Sequence, residues 1–115
     1  MKDLTFTPAV DLARLYRTRK ASPLEVMDAV LARIDAVNPQ VNAVVTLARE
    51  SALWEARRAT AALKRGAPLP PLFGIPVGIK DVTATKGIRT THGSKLFETH
   101  VPDEDALVEI GRAHV

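Results

Sequence analysis

The sequence predicts an α/β chain, helical to about residue 66 and built of strand and loop beyond it. Ser22-Pro23-Leu24-Glu25 reads as a helix start and is followed by apolar residues at helical spacing. Residues 49–65 form an alanine-rich run closed by Gly66. From Ile75 the chain turns β-branched for a few residues and then rich in threonine and glycine.

The elements follow in order. Thr7 can cap a first helix whose opening position is Pro8, where a missing N–H costs nothing. Val10, Leu12 and Leu15 give it apolar contacts up to about Thr18. In the second helix the Ser22 hydroxyl can accept from the N3 amide while Glu25 reaches back to the Ser22 amide. Val26, Val30, Ile34 and Val37 continue that helix to Asn38-Pro39, where proline disfavours helical backbone before it. Val41–Leu47 is short and β-branched, which predicts a strand. The third helix spans about Arg49–Arg65. Ala67–Leu72 then carries three prolines and predicts a stiff connector. Ile75–Lys80 predicts a strand with Pro76 near its start. Asp81–Pro102 predicts loop with at most short strands, and Asp103–Val108 a helix start with acids at the positive end of the dipole.

Composition narrows the function classes. The chain has 115 residues, with 46% hydrophobic and 25% charged, near the globular average and unlike a disordered tail. No apolar run approaches the roughly 18 residues of a membrane span, and the N-terminus lacks a signal peptide's apolar stretch. The expectation is a soluble cytoplasmic protein. Zero cysteines exclude a disulfide framework, a thiolate metal site and a cysteine nucleophile. Sixteen Lys and Arg against 13 Asp and Glu leave +3, with basic pairs scattered among acids and alanines and only 4% aromatics. That argues against a nucleic-acid surface, which gathers positive charge and stacking platforms on one face.

Candidate chemistry is sparse. His92, His100 and His114 sit at no metal-ligand spacing and read as loop or surface residues. There is no GxSxG elbow and no phosphate loop. Lys80 is the exception, because it ends an apolar strand. With a side-chain period of two, Pro76, Gly78 and Lys80 share one face, and Asp81 points to the other. A desolvated lysine without a carboxylate partner loses basicity and can serve as a neutral base. Spacing alone favours the simpler arrangement, a lysine that snorkels at the strand end with its ammonium in water.

Gly74-Ile75-Pro76-Val77-Gly78-Ile79-Lys80-Asp81, followed by Gly87-Ile88-Arg89-Thr90-Thr91-His92-Gly93-Ser94, resembles the N-terminal third of the amidase signature family. Members of that family show G-[IV]-P-[VF]-x-[VIL]-K-D and then G-x-x-T-T-x-G-S. Ser22–Val26, Ala32–Asp35, Asn38-Pro39, Val41–Ala43 and Pro71–Gly74 resemble its helical lead-in. The resemblance covers about Leu4–Val108. It implies a mixed-sheet α/β fold, of which this chain holds the lead-in and first core strands. Residues 1–108 would be the N-terminal part of one amidase domain, 1–66 mainly helical and 67–108 bearing the lysine motif. The family cleaves amide bonds through a Ser–cis-Ser–Lys triad without cofactor or metal. By position Lys80 matches the triad lysine. The two serines and the oxyanion loop lie downstream in the family, so this chain alone is expected to be inactive. Ser94 is expected to be structural, Ser22 a cap and Ser51 a helix residue.

The resemblance implies a small-molecule amide as substrate, and composition argues against a nucleic-acid or membrane partner. It leaves a homodimer of the complete enzyme open. An alternative within the family is the A-type subunit of an aminoacyl-tRNA amidotransferase, which passes ammonia to a charged tRNA carrier with partner subunits. A stand-alone helical interaction module is a further alternative. Finally, Ile110-Gly111-Arg112-Ala113-His114-Val115, with the last two bases of a Glu109 codon before it, is what a common short-read sequencing adapter encodes in frame before a stop. Residues 109–115 are therefore expected to be a non-native tail.

Overall fold

The computed structural model describes residues 3–110. The elements are a 3-10 turn at Leu4–Phe6, α1 (Ala9–Arg17), α2 (Pro23–Val41), α3 (Arg49–Lys64), a 3-10 turn at Lys95–Phe97, and α4 (Leu107–Ile110). Residues 3–44 pack with 49–76 as one unit, and 45–48 with 77–110 as a second.

In the first unit, Asp3 caps the opening turn by accepting from the Thr5 amide at 2.9 Å. The cap of α1 is Pro8 rather than the expected Thr7: the Pro8 carbonyl accepts from the Asp11 and Leu12 amides. The Thr7 hydroxyl instead donates to the Asp3 carbonyl at 3.0 Å. Val10, expected to face the core, is exposed, while Leu12 and Tyr16 are buried.

The capping box of α2 forms in both directions. The Glu25 amide donates to Ser22 Oγ at 3.2 Å and the Ser22 amide to Glu25 Oε2 at 3.4 Å. The helix runs on through Pro39 to Val41, beyond the end the sequence predicted. Pro39 removes one donor in the last turn, and the helix closes at Asn42, whose φ of +50° asparagine tolerates and whose amide bonds the Asn38 carbonyl at 2.7 Å.

The predicted strand at Val41–Leu47 does not form. Asn38 takes the place of a pairing strand: its Nδ2 donates to the Val44 carbonyl at 3.0 Å and its Oδ1 accepts from the Val44 amide at 2.8 Å. A backbone satisfied by a side chain has no need of a ladder.

Helix α3 ends as its sequence predicts. Gly66 adopts φ +72°, and the amides of Gly66 and Ala67 close on the carbonyls of Leu63 and Ala62. α2 and α3 pack on each other. Between them the Leu24 amide donates to Thr60 Oγ1 at 3.0 Å, and Arg49 pairs with Asp35. The core holds Leu12, Tyr16, Val26 and Leu63. Leu69 of the proline connector packs against it, as do Phe73 and Ile75 just beyond the connector. Tyr16 is 1% exposed and donates its hydroxyl to the Gly74 carbonyl at 3.0 Å. Burial pushes that hydroxyl up to about 12, so it stays a donor at neutral pH.

The second unit holds together by turns. Among the described residues no strand forms, and the pairing that does is a single antiparallel bridge between Thr85 and Ile88. The expected strand Ile75–Lys80 carries neither helix nor ladder. A strand exists only beside a neighbour, and the described residues bring none to it. Thr85, Thr90 and Thr91 are buried. The Thr90 amide reaches the His100 carbonyl at 2.9 Å, Gly87 reaches Pro102 at 3.0 Å, and Ala106 reaches Ala84 at 2.8 Å. α4 starts at Leu107 rather than Asp103, because the Asp105 carboxylate accepts from the Lys86 amide at 2.6 Å instead of capping the helix. Leu96 and Leu107 stand 91% and 85% exposed. Glu109 is buried and its amide bonds the Ala106 carbonyl. Ile110 ends α4, and the remaining residues of the expected tail, 111–115 with His114, lie outside the described residues.

Candidate functional site

Lys80 follows Ile75–Ile79 and precedes a turn. Its carbonyl accepts from the Thr83 amide at 2.9 Å, and its side chain is exposed. The described residues therefore do not supply the desolvation that the sequence pattern assigned to this lysine.

Its neighbour Asp81 accepts three hydrogen bonds through its side chain. One carboxylate oxygen accepts from the Thr91 amide at 2.8 Å; the other accepts from the Thr91 hydroxyl and from the Gly93 amide at 3.4 Å. The Asp81 carbonyl accepts from the His92 amide at 2.9 Å. The Thr91 hydroxyl and amide, with help from Gly93 and the nearby Arg89, hold the carboxyl below the ordinary aspartate value. The Lys80-Asp81 peptide is thus fastened to a turn ten to twelve residues downstream in the sequence.

That turn is the Thr90-Thr91-His92-Gly93-Ser94 stretch. His92 and Gly93 both take positive φ, +53° and +67°. Ser94 accepts from the Leu96 amide at 3.2 Å and caps the 3-10 turn, the structural role expected of it. Ser22 is the α2 cap and Ser51 lies in α3. His92 and His100 are exposed; the His92 ring meets Phe97 edge-on at 5.0 Å and stacks on His100 at 6.1 Å. Among the described residues no cluster of three or more His, Asp or Glu side chains could hold a metal ion, and no helix is long and apolar enough to cross a membrane.

Two residues escape the sequence reading. The strand pattern places Asp81 only as facing away from Lys80 and says nothing of its bonds to Thr91 and Gly93. The one signal is an aspartate ten residues before a buried threonine and a glycine turn. Arg89 does not stand out in the sequence either. Its guanidinium donates to the Val45 carbonyl at 3.1 Å, to Thr46 Oγ1 at 3.2 Å and to the Glu98 carbonyl. Partners 43 and 44 residues away leave no local pattern to find.

Known proteins bear on this geometry. The Amidase family model matches residues 25–109, which includes α3, most of α2, Lys80, Asp81 and the Thr91–Gly93 turn. The A subunit of glutamyl-tRNA(Gln) amidotransferase from Carboxydothermus hydrogenoformans is 40% identical over 106 residues, spanning 92% of this chain and 22% of that protein. The corresponding protein of Acidothermus cellulolyticus is 44% identical over 108 residues, 94% of this chain and 21% of its own length. This chain therefore spans about a fifth of the length of the curated relatives it matches.

Among solved structures, a bacterial aryl acylamidase of the amidase signature enzymes superposes with a TM-score of 0.80 at 25% identity, covering 92% of this chain and 21% of that one. A chain from an inhibitor-bound vestigial protein complex, described as revealing the evolutionary origins of an s-triazine catabolic enzyme, gives 0.85 at 29% identity, covering 93% of this chain and 23% of its own. The likeness supports the α/β class even though the described residues are helical and turn-rich. With the family model spanning most of the sequence and the fold agreeing, the chain belongs to the amidase signature family.

Proposed function

We propose that this chain is the lysine-bearing part of an amidase that hydrolyses carbon–nitrogen amide bonds by acyl transfer to a serine. Lys80 is the proton acceptor of a Ser–cis-Ser–Lys triad whose serines lie outside these 115 residues. In the complete domain Ile75–Lys80 is a core strand of a mixed sheet. Pairing there would desolvate the Lys80 amine and let it take the nucleophile's proton through the bridging serine. The substrate is a small-molecule amide.

The observation that carries the reading is the fixed backbone at Lys80-Asp81: both carbonyls are bonded while the Lys80 side chain is left exposed and uncommitted. A base must reach its proton within hydrogen-bond distance, so its anchor must be held in place. The exposed Leu96 and Leu107 fit a chain whose apolar surface is covered by more protein.

The test is turnover of a simple anilide by the complete enzyme. Lys80→Ala should lose at least on the order of a hundred- to ten-thousand-fold in kcat. Lys80→Arg should fail as well, since guanidinium stays protonated. Near-normal turnover by Lys80→Ala would remove Lys80 from the chemistry.

A second reading rests on the two curated relatives described above, both amidotransferase A subunits, 40% and 44% identical to this chain. In that case the complete protein needs partner subunits and delivers ammonia to a charged tRNA. Glutamine-dependent amidation with those partners present, and poor turnover of free anilides, would favour it. Either way, the match over residues 25–109 displaces the stand-alone helical module.

A further inference from the structure

The stem of Lys80 has four rotatable carbons, and nothing in the described residues grips its amine. Precision in such a base must come from the backbone beneath it. Below Lys80 that backbone is tied at consecutive points. The Thr83 amide holds the Lys80 carbonyl and the His92 amide holds the Asp81 carbonyl, both at 2.9 Å. The Asp81 carboxylate holds the Thr91 amide, the Thr91 hydroxyl and the Gly93 amide. These last three bonds reach across the loop rather than along it.

We propose that Asp81 is a positioning residue for Lys80: its carboxylate ties the Thr91–Gly93 turn to the Lys80-Asp81 peptide and so sets the direction in which the Lys80 side chain leaves the backbone. The proposal rests on the reading of Lys80 as the triad base.

The chemistry of the clamp explains why an aspartate stands here. Both carboxylate oxygens act as acceptors toward three donors. Asparagine is the same size but has one acceptor oxygen. Its NH2 would meet the Gly93 N–H donor to donor, and one bond would be lost. Glutamate keeps both oxygens but adds a methylene and displaces the turn. Thr91 is buried, and its hydroxyl donates to Asp81 while its oxygen accepts from the Gly93 amide at 3.3 Å. Thr91→Val removes that hydroxyl at nearly constant volume while leaving the amide bond to Asp81. Thr91→Ser restores the hydroxyl.

The experiment uses the complete enzyme and steady-state turnover of an anilide, with active sites titrated so that folded enzyme alone is counted. Asp81→Asn and Thr91→Val should each lower kcat about ten- to a hundredfold, the scale of a small misplacement of a reacting group. KM should stay within about twofold, because substrate contacts are not touched. Thr91→Ser should return kcat to near the unmodified value. If Asp81→Asn is recovered unfolded, Thr91→Val decides alone. Full kcat in Thr91→Val, a loss that vanishes after active-site titration, or a loss carried by KM would each overturn the positioning role. Lys80→Ala is run beside them. If Lys80→Ala is inactive while Asp81→Asn and Thr91→Val keep full kcat, the positioning proposal fails and the triad reading survives. If Lys80→Ala turns over normally, the triad reading itself has failed.

Discussion

At the scale of single residues, Asp81 carries a dependence on acid that can be worked out. Its carboxyl is held below the ordinary aspartate value by bonds that only the ionised form accepts in full. A group lowered on folding contributes its stabilisation above the unfolded value, about pH 4, and loses it as the pH falls through the lowered one. The Thr91–Gly93 turn should therefore stay closed at neutral pH and open in acid. Hydrogen exchange at the Thr91 and Gly93 amides, followed by NMR as pH is lowered, should show protection lost below about pH 4, and Asp81→Asn should lack that transition. Unchanged protection down to the acid limit would show that the turn holds without the carboxylate. Lys80 and Asp81 also differ in how they can be found. Lys80 is legible because a charge at the end of an apolar run is locally odd. Asp81 is not, because its meaning lies in a threonine ten residues on.

Among the elements, helices are legible and strands are not, for one physical reason. A helix closes its bonds within itself, so the box at Ser22–Glu25 and the glycine stop at Gly66 act where they are written. A strand is completed by a partner that the local sequence does not name. Val41–Leu47 finds a side chain, Asn38, in place of that partner, and Ile75–Lys80 finds none among the described residues. The turn that delivers the chain to Ile75 is also set by distant groups. Gly74 sits at φ +72°, and a Cβ there would lie 2.7 Å from Pro23 Cγ and 3.1 Å from Tyr16 Cε2. Gly74→Ala combines left-handed backbone with overpacking and should cost about 2–5 kcal/mol. Tyr16→Phe removes one hydrogen bond and should cost nearer to about 1 kcal/mol. Urea unfolding of the complete domain, read as the shift in midpoint, checks the order; equal or reversed costs would mean that the close approach at Gly74 relaxes freely.

For the molecule as a whole, the family is legible from motifs, whereas the division of packing is not. The first unit is finished by Pro76, and its core draws on α1, α2, α3 and the proline connector. The second keeps apolar side chains such as Leu96 and Leu107 in solvent and gathers its interior around threonines. Completion of the first unit by Pro76 acquires a meaning in time when the chain is made from its N-terminus. Synthesis at roughly 5–20 residues per second needs about one to three seconds to pass from Pro76 to Gly93, whereas helix formation and collapse take microseconds. The α2–α3 hairpin should hence be packed, with Gly74 seated on Tyr16 and Pro23, before Asp81 has a Thr91 to hold. Nascent chains arrested once residue 76 has left the ribosomal tunnel should resist protease across α2 and α3, and Gly74→Ala should weaken that resistance. Cleavage within α2 at this stage as rapid as in an unfolded chain would mean that the helices wait for the lysine segment. If they do not wait, the helical half is already standing when the segment bearing Lys80 emerges, and errors in that half are exposed to cellular proteases while Lys80 is still inside the tunnel.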